Sequence, residues 1–242
     1  MIRVAQDSDF PSVVSDESLV RICGLRLTYG EVPFIQYFTD GEGALLAVMD
    51  RVGIFFGETV TDEWYTFLSM NSEIAVVHCS ATIGGELMAM GGWQGDTGVV
   101  MKYTAERPDG EEDGVKTSPY LPDVYALLKD HFPHIAPFDY WYPDASHRVR
   151  HGRCHISTIL DGKTVISTAM TVAETDGAAV LGQVATHPDY RRMGLAGRCI
   201  NSTISQCKDK ELYILPITKE AQKLYEKLGF SAVGGWAELE RA

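Results

Sequence analysis

Leu181–Cys199, LGQVATHPDYRRMGLAGRC, reads as a buried strand, a sharp turn at Pro188, and a glycine-bearing entry into a helix preceded by two arginines. A helix N-terminus exposes unpaired backbone N–H groups and a partial positive charge, so such an entry is an anion site. Gly194 and the small Ala196 let a pyrophosphate approach the main chain closely, and Arg191 and Arg192 add forked donors for phosphate oxygens. A Walker A loop needs GxxxxGK followed by Ser or Thr, and a dinucleotide fold needs GxGxxG. Neither is present here, which points to a pyrophosphate held by some other fold.

The elements on either side give the setting. Arg153 to Leu160 and Thr164 to Val172 flank Asp161-Gly162-Lys163, an apolar-polar alternation about an Asp-Gly turn that predicts a hairpin. A turn at Glu174 to Gly177 leads to a third strand, Ala178 to Thr186, completing a meander that Pro188 stops. Gly194 to Cys207 has helical spacing; a strand at Glu211 to Leu215 and a helix from about Lys219 to Leu228, ended by Gly229, follow. A closing strand pair is expected at about Ser231 to Gly234 and Ala237 to Leu239. Ahead of the meander, Asp123 to His131 reads as a short helix opened by Pro122 and stopped by Pro133.

Arg191-Arg192-Met193-Gly194-Leu195-Ala196 resembles the R/Q-x-x-G-x-G/A pyrophosphate loop of the GNAT superfamily of acyl-CoA N-acyltransferases. The family's V-x-x-x-P-x-x-R strand end is matched by Val184 to Arg191, and its LYEKLGF segment by Leu224 to Phe230. Together these cover roughly Arg153 to Leu239, a little over a third of the chain. The resemblance implies a mixed α/β fold with a mainly antiparallel twisted sheet flanked by helices. It also implies acetyl-CoA or another acyl-CoA as cosubstrate, no metal, and direct attack of an amine on the thioester in a ternary complex. In this family Val184, Ala185 and Thr186 would present backbone groups to the pantetheine arm and acyl carbonyl. Arg191, Arg192, Met193, Gly194, Leu195 and Ala196 would wrap the pyrophosphate, and Tyr225 would protonate the departing thiolate. A phenol of pKa ~10 lies above a thiol of ~8.5, so that transfer becomes feasible as negative charge builds on sulfur.

Composition bounds the rest. The chain has 242 residues and a formal net charge of −12, which argues against nucleic acid and anionic membranes as partners. Its 45% hydrophobic and 22% charged content is that of a folding, globular chain. Five scattered cysteines with no CxxC pair predict reduced, buried thiols. No apolar leader or membrane-length apolar run stands out, so the expectation is a cytoplasmic protein, monomer or homodimer. The stretch Thr104 to Pro122, with its acidic Gly110–Gly114 core, reads as a long surface loop. Before it, strand-like runs (Ile35 to Thr39, Ala44 to Met49, Gly53 to Phe56, Glu58 to Val60, Ile74 to His78) alternate with helical ones (Asp62 to Met70, Thr82 to Met90). With the resemblance confined to the second half, it implies residues 131–242 as the catalytic domain and residues 1–130 as a degenerate GNAT-like or cap α/β lobe. Some relatives have such a tandem plan, in which a degenerate first half walls the acceptor cleft.

The amine is the harder chemical problem. An alkylammonium of pKa ~10.4 is neutral about one time in 2,500 at pH 7, a cost of roughly 4.6 kcal/mol, so a base or water chain is expected. The glutamate that some relatives keep on the fourth or fifth strand has no clear counterpart; Gln183 and Tyr213 stand in plausible places. Glu174, Asp176, His151, His155 and carboxylates of the first half remain candidates. His147, His151 and His155 recur every four residues, but the alternation of Arg153 to Leu160 and the breaks at Pro143 and Gly152 argue against a metal-binding helix face. Phe138, Tyr140, Trp141 and Tyr142 either line an acceptor pocket or cap the core. The acidic residues Glu111 to Asp113 read as a solvated turn. The leading expectation is acetyl transfer to a small-molecule amine; its rivals are a non-catalytic acyl-CoA sensor or interaction module and a protein N-acetyltransferase.

Overall fold

A short strand, β1 (Arg3–Val4), opens a computed structural model of the protein that describes residues 1–108 and 112–242. The Asp16 carboxylate then caps α1 (Glu17–Tyr29) by accepting from the N–H groups of Ser18 and Leu19. Three antiparallel strands follow, β2 (Ile35–Thr39), β3 (Leu45–Met49) and β4 (Val52–Phe56), and α1 packs on the face bearing Ile35, Tyr37, Leu45 and Ala47. After α2 (Asp62–Met70) comes β5 (Val76–Ser80), parallel to β4. Then follow α3 (Ala81–Met90) and β6 (Trp93–Tyr103). Trp64, Leu68, Ile83 and Leu87, from α2 and α3, are buried in the core on Leu46, Phe55 and Val77.

The same order returns in the second half. After α4 (Leu121–Leu128) and α5 (Phe138–Arg150) come the antiparallel β7 (Ile156–Asp161), β8 (Thr164–Glu174) and β9 (Ala178–Thr186). A 3-10 turn at Pro188–Tyr190 leads into α6 (Leu195–Gln206), then β10 (Glu211–Ile214), parallel to β9, then α7 (Lys219–Lys227) and β11 (Phe230–Arg241). In each half a three-strand meander, a helix, a strand parallel to the meander's last strand and a further helix follow one another.

Two compact units result: Met1–Met101 with Leu215–Ile217 and Ala232–Ala242, and Lys102–Ile214 with Thr218–Ser231. The first holds the strand order β1-β2-β3-β4-β5-β11-β6, the second β10-β9-β8-β7. The fold class is the one expected from the sequence, mixed α/β with mainly antiparallel strand pairing and flanking helices. All five cysteines are buried, and the structure records each of them as a free thiol. Among the described residues no helix is long and apolar enough to cross a membrane.

Several elements differ from their sequence reading. Phe138–Arg150 is helical despite the interior Pro143, which forgoes one i→i−4 bond, because Trp141, Ala145 and Arg148 on one face are buried. Glu58 to Val60 is irregular; Glu86 accepts from the Val60 N–H at 2.6 Å and from the Thr59 hydroxyl at 2.9 Å, replacing ladder bonds. The closing strand pair is one strand, β11, running through Gly234-Gly235. Gly235 serves close packing there: a Cβ on it would lie 2.8 Å from the Ala81 Cβ. Of the acidic loop, Asp109, Gly110 and Glu111 lie outside the described residues. Glu112 accepts from the Asn201 amide at 3.1 Å and faces Arg198, so this end of the loop is bonded to α6.

Gly95 makes the tightest of these approaches, since a Cβ there would fall 2.1 Å from the Glu238 carbonyl oxygen, a backbone atom that cannot swing aside. Gly95→Ala is expected to destabilise the protein by about 2 kcal/mol or more, within the usual range for overpacking. A urea midpoint equal to that of the wild type would contradict this.

Candidate functional site

Pairing between β9 and β10 stops at Leu181 opposite Ile214, while β9 continues to Thr186. On that edge the backbone groups beyond Leu181 have no strand partner, and an unpaired strand edge is a set of donors and acceptors for a ligand. On its other edge β9 has a bulge: Met170 pairs with Gly182 and Thr168 with Ala185, so Gln183 and Val184 together oppose Ala169. Gln183 takes the left-handed φ of 49°, and its side-chain oxygen accepts from the Trp141 indole N–H at 3.2 Å. Past the bulge Ala185 pairs with Thr168 on β8, and by alternation the backbone groups of Val184 and Thr186 turn to the side that β10 has left.

Past Thr186 the chain turns through Pro188–Tyr190, and Arg191 Nε donates to the Thr186 carbonyl at 3.3 Å. Tyr190 donates its hydroxyl to Asp161 in the β7–β8 turn, which ties down the turn leading into the loop. Arg192 has φ 64° and Gly194, the N-cap of α6, has φ 77°. Two left-handed residues so close together fold the loop back on itself, and at Gly194 a residue with a side chain would be strained. No side chain caps α6, and its first turn holds no acidic residue. Arg191, Arg192, Met193 and Gly194 are exposed, and Leu195 is buried beneath them. These features leave the first N–H groups of a 12-residue helix open to an anion.

The first unit occupies the same topological position quite differently. There α2, the helix after the meander, is capped by Thr61, whose hydroxyl accepts from the Trp64 N–H, and its first turn carries Asp62 and Glu63. With Glu86 already bonded to Thr59 and Val60 as described, that helix start is closed and negatively charged.

Tyr225 lies on the buried side of α7, 6% exposed, and burial pushes its phenol up to about 12. One turn on, Leu228 reaches α6: a Cβ on Gly197 would meet its Cδ2 at 3.5 Å. The α7 face carrying Tyr225 and Leu228 therefore turns toward the first turn of α6.

Other residues singled out from the sequence sit elsewhere. Glu174 stands opposite Ala179 and Thr186 opposite Ser167, so Glu174 lies at the far end of β9, roughly 20 Å away at ~3.3 Å per residue. His155 Nδ1 is 2.8 Å from Glu174 Oε1, Lys210 donates to Oε2 at 2.8 Å, and the Thr171 hydroxyl also donates. Cys207 Sγ lies 3.8 Å from the same His155 nitrogen, which makes His155, Glu174 and Cys207 a group with metal-ligand spacing. The Lys210 ammonium already neutralises that carboxylate, and burial pushes the Cys207 thiol up to about 12, both of which oppose a cation. The His147 and His151 rings lie 4.1 Å apart between centroids, tilted by 31°, and are not members of this cluster. Asp176 pairs with Arg153, and Glu211, opposite Ala178, pairs with Lys102. Trp141 is buried, and Phe138 and Tyr142 stack at its side at 5.3 Å. No sequence motif marked His131, whose Nε2 lies 3.0 Å from the Thr186 carbonyl oxygen.

Residues 121–230 match the family model for the acetyltransferase (GNAT) family. No curated protein matches the chain. Among solved structures, a Novosphingobium aromaticivorans protein described as a GNAT-family acetyltransferase is 16% identical, with TM-score 0.60 over 94% of this chain and 100% of its own. A GCN5-related N-acetyltransferase from Sphaerobacter thermophilus is 14% identical, with TM-score 0.58 over 100% and 95%. A tandem GNAT protein from the clavulanic acid biosynthesis pathway is 11% identical, with TM-score 0.59 over 91% and 86%. At these identities the likeness concerns the fold.

Burial works to raise the pKa of Glu174, but the hydrogen bond and charge of His155, with Lys210 and Thr171, outweigh it and hold the carboxyl at about 2. A carboxyl depressed in the folded state stabilises it above the ordinary value of 4.5, and that contribution disappears as pH falls toward 2. Wild-type stability is expected to fall over this window, and Glu174→Gln should flatten the fall by on the order of 2 kcal/mol. Identical acid-unfolding curves for the two proteins would refute this.

Proposed function

We propose that the chain, whose residues 121–230 form a GNAT-family acetyltransferase domain, transfers an acetyl group from acetyl-CoA to the amine of a small molecule. The observation that carries this reading is the open α6 N-terminus standing next to the unpaired end of β9. The second unit is then the catalytic one. The first is its degenerate counterpart, with the same element order and a closed helix start.

In this reading the N–H groups opening α6, with Arg191 and Arg192, hold the diphosphate. The free backbone groups of Val184 and Thr186 hydrogen-bond the pantetheine amide and orient the thioester carbonyl. The amine nitrogen bonds to the acyl carbon, the carbon–sulfur bond breaks, and Tyr225 gives its proton to the departing sulfur. A phenol held at about 12 stays protonated through neutral pH and so is available as the acid. The proton lost by the amine leaves through water, since Glu174, Asp176 and Glu211 stand at the other end of the strands.

That remoteness also favours a second reading, an acyl-CoA sensor without turnover. Calorimetry with coenzyme A and thiol release from acetyl-CoA over a panel of small amines and lysine peptides separate the possibilities. Binding together with release on a small amine is expected; binding without release on any acceptor supports the sensor, and release on peptides alone supports a protein acetyltransferase. Arg192→Glu combined with Gly194→Asp should weaken coenzyme A binding by about 100-fold or more, through lost charge-assisted bonds and an added negative charge. Unchanged affinity would sink the assignment of the site. Tyr225→Phe should lower kcat by roughly 100-fold, in the range of general-acid catalysis, and leave coenzyme A affinity intact. Full turnover by that variant would remove Tyr225 from the reaction.

A further inference from the structure

The carbonyl of Thr186 stands at the end of the unpaired edge of β9. The N–H of His187 donates to Ile166 on β8 at 2.8 Å. Successive residues of a strand direct their backbone groups to opposite sides, so the groups of Thr186 face the side that β10 has left. Its carbonyl is held there by two side chains, His131 Nε2 at 3.0 Å and Arg191 Nε at 3.3 Å. Its hydroxyl meets the Ser167 hydroxyl at 2.9 Å.

His131 follows the last turn of α4, and its other ring nitrogen, Nδ1, lies 2.9 Å from the Leu127 carbonyl oxygen. Both neighbours are carbonyl oxygens, which only accept, so a ring nitrogen bonded to either one does so through its N–H. The imidazole thus connects the end of α4 to the end of β9, and Arg191, bonded through Nε to the same oxygen, keeps its two terminal nitrogens for the loop.

We propose that His131 is a positioning residue of the acyl-CoA slot: by holding the Thr186 carbonyl it fixes the direction of the unpaired strand end and of Arg191 together. This rests on the acyltransferase reading above. The Thr186 carbonyl is thereby taken, while the Thr186 N–H and the groups of Val184 stay available to a ligand.

Coenzyme A binding by calorimetry and the thermal midpoint are to be measured for the wild type, His131→Leu and His131→Gln. His131→Leu is expected to bind coenzyme A about tenfold more weakly, in line with loss of a supporting hydrogen bond behind a binding group. His131→Gln keeps an N–H donor and should recover affinity to within about threefold of the wild type. Wild-type affinity in His131→Leu, or equal losses in the two variants, overturns the clamp. Should the leucine variant not fold, nitrogen-detected imidazole spectra of the wild type decide: a solvent-protected proton on Nε2 of His131 supports the bond to Thr186, and its absence refutes it. A wild type that binds no coenzyme A sinks the acyltransferase reading, while the imidazole spectra still report on the clamp.

Discussion

The early end of one parallel ladder underlies the site. β9 and β10 pair over four residues and then part, leaving polar backbone in a strand that has no further strand to bond. Such groups are costly to leave unmet, and this chain meets some of them itself while leaving others open. The bulge at Gln183 and Val184 sets which face outward, the Trp141 indole holds Gln183, and His131 with Arg191 takes the Thr186 carbonyl. The helix that follows repeats the arrangement at its own start, where a left-handed glycine cap leaves the first amides without a side-chain partner.

Most of this was legible wherever local chemistry is strong. The Asp161-Gly162 hairpin, the strand ending at Thr186 and the helix beginning after Gly194 all lie where their turn and cap residues put them. Misreadings arose where packing overrides a local signal. Pro143 marks a break, yet a buried Trp141 and Arg148 hold the helix across it. A strand pair is expected at Ser231 to Gly234 and Ala237 to Leu239, yet one strand runs through, and the missing side chain of Gly235 admits Ala81. His131 carries no motif, because its role depends on meeting Thr186, 55 residues away in sequence. The same limit applies to Glu174: its residue type made it a candidate base, but only the strand register reveals at which end of β9 it lies.

Comparison of the two units separates what the fold supplies from what the residues supply. Both place a helix start after the last strand of a meander, and both pair that strand in parallel with the next. In the first unit Thr61, Asp62, Glu63 and Glu86 satisfy or repel at that point; in the second Arg191, Arg192 and Gly194 do neither. Whether that helix start is open or closed to an anion is therefore set by a handful of side chains and one backbone conformation, placed on a scaffold that is indifferent to it.

The last strand has a consequence for biogenesis. β11 is made long after β5, yet its residues Trp236–Glu240 pair with β5 and Ala237 and Leu239 join the first unit's core. A ribosome delivering residues in order thus releases the earlier strands with an edge of that sheet still bare, and the gap closes only once β11 has followed. Pairings so distant along the chain form slowly, and an uncovered edge meanwhile invites the wrong neighbour. Disruption of Trp236–Glu240 would accordingly be felt in the half of the protein that was translated first.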